Sequence, residues 1–161
     1  MRLVPQLLPE SRVLVDLDVT SKKRVFEHVG LIFENSLGLG ASAVYDSLFA
    51  RERLGSTALG HGIAVPHGRI KGLREAVGAF VRTRQPIPFE APDGNPVQQI
   101  FVLLVPEKAT DVHLQILSEL AEMFSDRMLR QRIDAAATAA EVQRLITTWE
   151  PNAPAQHRAA V

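Results

Sequence analysis

Six consecutive apolar residues, Ile100-Phe-Val-Leu-Leu-Val105, run straight into Pro106 and constrain this chain more than any other segment. A strand with one wet face alternates apolar and polar residues, whereas an unbroken run needs cover on both faces. The segment therefore reads as a central strand with helices on each side of its sheet. A chain of 161 residues suits one domain. At that length it buries ~70% of its unfolded surface, enough for such a layered core.

The neighbouring segments supply the other layers. Residues 12–18 alternate, with Val13, Val15 and Leu17 on one side and Leu14, Asp16 and Asp18 on the other. Thr20 or Ser21 then caps a helix whose stripe is Val25, Val29, Ile32 and Phe33. Gly38 and Gly40 close it, and Ser42 caps a second helix, with Val44, Tyr45, Leu48 and Phe49 inward, that stops at Gly55. The stretch from Gly55 to Gly72 reads as a loop with one brief strand, Ile63–Val65. Residues 76–84 form a strand, Pro86 and Pro88 interrupt the next stretch, and Asp93-Gly-Asn-Pro96 signals the turn of a hairpin. Thr110 or Asp111 opens a third helix, a shorter one comes after it at about 127–135, and Thr138-Ala-Ala-Glu141 is a capping box for the last. The expected fold class is α/β: a single domain over residues 1–150, with a mixed β-sheet flanked by helices and a flexible C-terminal tail at 151–161 carrying Pro151 and Pro154.

Chemistry concentrates in Gly60-His-Gly-Ile-Ala-Val-Pro-His67-Gly68. Pro66 fixes its own φ and biases Val65 towards an extended backbone, and Gly68 allows a turn. His67 is then presented where a strand meets a loop. A neutral imidazole near pH 7 is both a nucleophile and a leaving group, which suits it to pass a phosphoryl group on. The alternative is a loop histidine bonded to backbone. His113 falls in the first turn of the third helix, directly after the central strand, where the crevice beyond strand ends and a helix N-terminus both favour an anion. The dipole there keeps an imidazole neutral, so His113 has an N–H to give to phosphate or to a neighbouring ring. Arg51 and Arg53 end the second helix, and a guanidinium fork matches phosphate; both also suit a solvated helix end. Of the other three histidines, His28 edges the first helix's stripe, His61 lies in the glycine-rich loop and His157 in the tail.

Arg51-Glu-Arg-Leu-Gly-Ser-Thr-Ala-Leu-Gly-His-Gly-Ile-Ala-Val-Pro-His67-Gly-Arg resembles the active-site signature of the IIA components of the bacterial phosphoenolpyruvate phosphotransferase system, mannitol/fructose branch. Phe101-Val-Leu-Leu-Val-Pro106 and Asp111-Val-His113-Leu-Gln-Ile-Leu resemble its second active-site element, in the same order, and the likeness runs from about residue 8 to 149. Ser21-Lys-Lys-Arg in the first helix and the absence of attached IIB or IIC portions make the chain most like the nitrogen-regulatory type. The resemblance implies that His67 accepts phosphate from an HPr-like phosphocarrier protein. It implies that His113 positions His67, that Arg51 assists electrostatically, and that Ser56, Thr57 and Gly68 belong to the phosphate-binding loop. Such a site must admit a partner, so Leu59, Ile63, Val65 and Ile70 are candidates for an apolar rim, with core packing as the other reading. No cofactor is implied. Regulatory targets such as a sensor kinase or a transporter are. His61 stands where the family pattern has asparagine.

Composition narrows the rivals. Lys plus Arg and Asp plus Glu number 18 each, and this balance disfavours nucleic acid as a partner. With no cysteine, thiolate chemistry and cysteine metal sites are excluded. No stretch reaches the ~20 apolar residues of a membrane helix, and the start of the chain shows no signal peptide, so a cytoplasmic protein without membrane insertion is expected. The other readings are a sugar-specific IIA component passing phosphate to a IIB partner, a regulatory binding module without transfer, and a metal-dependent hydrolase using His61, His67 and His113. The last has only Asp111 as a nearby carboxylate and lacks a metal-ligand spacing, so no metal is expected.

Overall fold

The structure is a computed structural model that describes residues 2–108 and 110–151. The expected tail, with Pro154 and His157, lies outside the described residues apart from Pro151. The strands are β1 (Val13–Leu17), β2 (Ala58–Gly60), β3 (Ile63–Ala64), β4 (His67–Ile70), β5 (Val77–Ile87) and β6 (Val97–Pro106). The helices are α1 (Lys22–Leu37), α2 (Ala41–Glu52), α3 (Asp111–Phe124), α4 (Arg127–Ala135) and α5 (Ala139–Thr147). Two short 3-10 turns, Val4–Gln6 and Glu10–Arg12, precede β1. The expected class, α/β with a mixed sheet, holds: the order is β1-β5-β6-β3-β2, with β4 also paired to β6.

Strand β6 is the axis. Phe101, Leu103 and Val105 point into a core closed by α3, α4 and α5. Ile100, Val102 and Leu104 point into a second core closed by α1 and α2. Strand β5 pairs antiparallel along one side of β6, while β3 and β4 pair parallel along the other. β3 and β4 form one interrupted strand. Val65 turns aside to donate its N–H to Thr57 O (3.0 Å), and Pro66, which has no N–H, offers only its carbonyl to Leu103 N (2.9 Å).

Four local expectations differ from the structure. The Gly55–Gly72 stretch holds three strands rather than one, because β6 offers a ladder that even short, glycine-rich segments complete. α2 begins at Ala41 with Gly40 at its N-cap, so Ser42 is not the cap; Glu34 at the end of α1 accepts the Ala41 N–H instead (3.2 Å). β5 continues through Pro86, which is exposed in a register shift between Arg82 and Ile87, where no ladder donor is required. In β1 the alternation breaks at Asp16 (φ 57°), so Leu17 joins Leu14 in the second core rather than Val13 and Val15 in the first. The Asp16 carboxylate there meets the buried Arg82 (3.1 Å), whose Nη1 also donates to Ile133 O and Ala136 O at the end of α4. Ser21, Thr110, Asp126 and Thr138 take the N-cap positions of α1, α3, α4 and α5. Glu141 completes its box one residue early, on the Ala137 N–H (3.1 Å).

Candidate functional site

His67 is the first residue of β4, opposite Leu103 of β6 and half-buried. Its Nδ1 lies 3.0 Å from the Val65 carbonyl oxygen. A carbonyl only accepts, so Nδ1 carries the proton and Nε2 is left with a bare lone pair. Burial pushes the imidazole below its ordinary value, the Val65 bond opposes this, Arg51 lowers it further and Glu52 raises it. A nucleophile needs its neutral form, and the dominant influence here favours that form.

Three elements meet around this ring. The C-terminal end of α2 brings Arg51, β4 brings His67, and the first turn of α3 brings His113; all three line one cleft of about 520 Å³. His113 Nδ1 accepts the backbone N–H of Thr110 (3.2 Å), which assigns its proton to Nε2 and leaves Nε2–H as a donor. The two histidines thus have complementary tautomers, one with a free lone pair and one with a free N–H. Arg51 Nη1 donates to Gly55 O (2.7 Å) and keeps its remaining N–H groups for an anion. A larger hollow, about 710 Å³, lies at the start of α1 and holds no histidine, so chemistry rather than size selects the cleft.

Residues 6–149 match the family described as "Phosphoenolpyruvate-dependent sugar phosphotransferase system, EIIA 2". The chain belongs to this IIA family. It is 39% identical over 142 residues to a nitrogen regulatory protein of Pseudomonas aeruginosa, covering 88% of this chain and 92% of that protein. It is 39% identical over 131 residues to the nitrogen regulatory protein of Escherichia coli K12, covering 81% of this chain and 80% of that one. The crystal structure of the nitrogen regulatory protein IIA-Ntr from Neisseria meningitidis superposes with a TM-score of 0.84 at 49% identity, over 89% of this chain and 98% of that one. The crystal structure of IIA mannitol from Escherichia coli shares the fold at 18% identity and a TM-score of 0.72, over 86% of this chain and 97% of that one.

In this IIA protein the loop hydroxyls are committed to structure. Ser56 Oγ donates its one proton to Phe89 O (2.5 Å), and Thr57 Oγ1 donates to Glu52 Oε1 (2.7 Å). Both residues border a smaller hollow of about 230 Å³ beside His67, but neither proton is free for an anion. Gly68 makes no turn. It sits inside β4, where an added Cβ would come within 3.1 Å of the Ser47 backbone carbon on α2, so a close approach of helix to strand requires it. Ser47 Oγ reinforces this contact by donating to Arg69 O (2.8 Å).

His61, Arg53 and the expected apolar rim fall elsewhere. His61 is exposed at φ 56°, its backbone N–H held by Asp93, and it lines a separate hollow with Gln98, Arg127 and Asp134. Arg53 faces the hollow at the start of α1. His28 is exposed on α1. Among the described residues, no three His, Asp or Glu side chains gather to hold a metal ion. Ile63, Val65 and Ile70, candidates for a docking rim, are core residues; of the four considered only Leu59 is exposed. The apolar rim of the IIA cleft is instead Leu54 and Leu114. No helix among the described residues is long and apolar enough to cross a membrane.

Proposed function

We propose that this IIA protein is a cytoplasmic phosphocarrier that accepts a phosphoryl group on Nε2 of His67 from an HPr-like phosphohistidine protein and uses it mainly in regulation. The observation that carries the reading is the Nδ1–Val65 bond, which commits the ring to the tautomer whose Nε2 is nucleophilic. In the step, the Nε2 lone pair forms the new P–N bond. The old P–N bond breaks, and its electron pair returns to the donor imidazole. The donor ring gives up positive charge as the His67 ring gains it, and the Nδ1–H bond to Val65 O strengthens as it does. No external proton, metal or cofactor is needed for this balance. Arg51 and the His113 Nε2–H meet the oxygens of the transferring group, where fixed donors act most strongly.

Similarity to nitrogen regulatory proteins along most of the chain supports a regulatory output, through targets such as a sensor kinase or a transporter, over delivery to a sugar-specific IIB partner. Charge added at His67 alters a docking face, and a target can read that change. The test is a reconstituted relay from labelled phosphoenolpyruvate. Wild-type protein takes up alkali-stable label, and His67→Ala takes up none while keeping its circular dichroism and melting curve. Label on a folded His67→Ala protein would refute the assignment.

A further inference from the structure

Glu52 is a carboxylate where an apolar residue is expected. It follows Val44 and Leu48 at steps of four along α2, so its side chain enters the buried face and is only 3% exposed. A buried carboxylate is costly unless it is saturated with donors. Here it is: Oε1 accepts from Thr57 Oγ1 (2.7 Å), and Oε2 accepts from Thr57 N (3.0 Å) and Lys22 Nζ (3.1 Å). Thr57 passes the constraint on. Its carbonyl accepts the Val65 N–H (3.0 Å), and the Val65 carbonyl accepts Nδ1–H of His67 (3.0 Å). An unbroken series of hydrogen bonds therefore joins Glu52 to the reactive ring. The same clamp closes the turn after α2, whose Gly55 carbonyl holds Arg51.

We propose that Glu52 is a positioning residue for phosphoryl acceptance, orienting the His67 ring through Thr57 and Val65 and holding Arg51 at the cleft through the turn they close. The proposal rests on His67 being the acceptor. A purely structural staple would join α1, α2 and β2 equally well, so the test must read something a staple does not move. The charged and titratable groups around His67 are Arg51 and Glu52 from α2, His113 from α3, and Arg69 on its own strand. Of these, Glu52 is the negative charge that acts on the ring, and it favours the cationic form.

The experiment measures transfer from a phosphorylated HPr-like carrier to wild type, Glu52→Gln, Thr57→Val, Thr57→Ser and the Glu52→Gln/Thr57→Val double variant, together with an NMR titration of the His67 ring. Misplacing the ring or Arg51 lowers kcat by about 10- to 100-fold in Glu52→Gln and Thr57→Val, while KM for the carrier holds because the docking rim is untouched. Thr57→Ser restores the rate. The His67 midpoint moves down in Glu52→Gln, which loses the charge, and stays in place in Thr57→Val, which keeps it. The double variant is no slower than Glu52→Gln alone, as expected of two parts of one clamp. Wild-type kcat in both single variants, or additive losses in the double, overturns the positioning role. If Glu52→Gln does not fold, the Thr57→Val and Thr57→Ser rates decide by themselves. Wild type that takes up no phosphate overturns the acceptor reading and this role with it, whereas active wild type matched by both variants overturns this role alone.

Discussion

At the scale of single residues, the site depends on where two protons sit. The Val65 carbonyl holds one on Nδ1 of His67, and the Thr110 amide excludes the other from Nδ1 of His113. Burial and Arg51 both move His67 below its ordinary value of about 6.5. Because the folded value lies below the unfolded one, the neutral ring's contribution to stability is present above the ordinary value. It is lost as pH falls through the folded one. Phosphate acceptance needs the same neutral ring, so the fall in its rate with acid is centred below the ordinary value. Replacing Arg51 with alanine removes one of the lowering influences. The His67 midpoint then rises, and acceptance fails at a higher pH than in wild type. Ring 15N shifts followed through a pH titration of both proteins measure this directly. A midpoint in Arg51→Ala that is unchanged or lower contradicts the electrostatic role. The sequence places His113 in the first turn of the third helix. That its Nδ1 accepts the Thr110 N–H depends on a side-chain rotamer that spacing does not encode.

At the scale of elements, periodicity located whatever is governed by a repeating buried face. The expected 127–135 helix is α4 itself, and the six-residue apolar run lies within β6 with both its faces buried. Sequence reading failed where a partner element sets the outcome. β2, β3 and β4 are too short to show a period and exist because β6 and one another complete their ladders. Ile63, Val65 and Ile70 are core rather than rim because the segment carrying them pairs with β6 instead of forming a loop. Glu52 was legible in principle from its four-residue steps after Val44 and Leu48. The sequence suggests a turn at Gly68, whereas close packing against Ser47 is what requires glycine there. Its role makes a prediction about the α2–β4 contact. In Gly68→Ala the new methyl meets the Ser47 backbone and Cβ, both 3.1 Å from its ideal position. The helix must lift from the strand at a cost of about 1–3 kcal/mol, typical of overpacking. Urea denaturation measures the loss. Full stability in Gly68→Ala would show that α2 has room to move, and with it that Arg51 is less firmly placed than the contact implies.

At the scale of the whole molecule, the chemistry sits at the margin of the first core, where Leu103 and Val105 belong to the core and line the cleft. Both cores straddle β5 and β6, while the cleft lies where β4, α2 and α3 meet at the side of the sheet. The sheet persists between this chain and IIA mannitol at 18% identity, so the fold alone does not select a partner. Selection falls to the rim, where Leu54 is 83% exposed and Leu114 is 65% exposed, each with little to lose from the fold if truncated. Arg51 and Arg69 add positive charge at the same cleft, which makes it complementary to an apolar patch with acidic neighbours. Replacing Leu54 and Leu114 with serine should leave folding stability within about 0.5 kcal/mol, as for other exposed positions. It should also raise KM for the phosphorylated carrier by about tenfold, the loss of one interface anchor worth roughly 1.4 kcal/mol. Because a leucine side chain offers a phosphoryl group neither charge nor hydrogen bond, kcat should hold. Steady-state transfer kinetics at increasing carrier concentration separate the two constants. If kcat falls while KM holds, the leucines shape the reacting geometry rather than the encounter, and the docking surface lies on another face of the molecule.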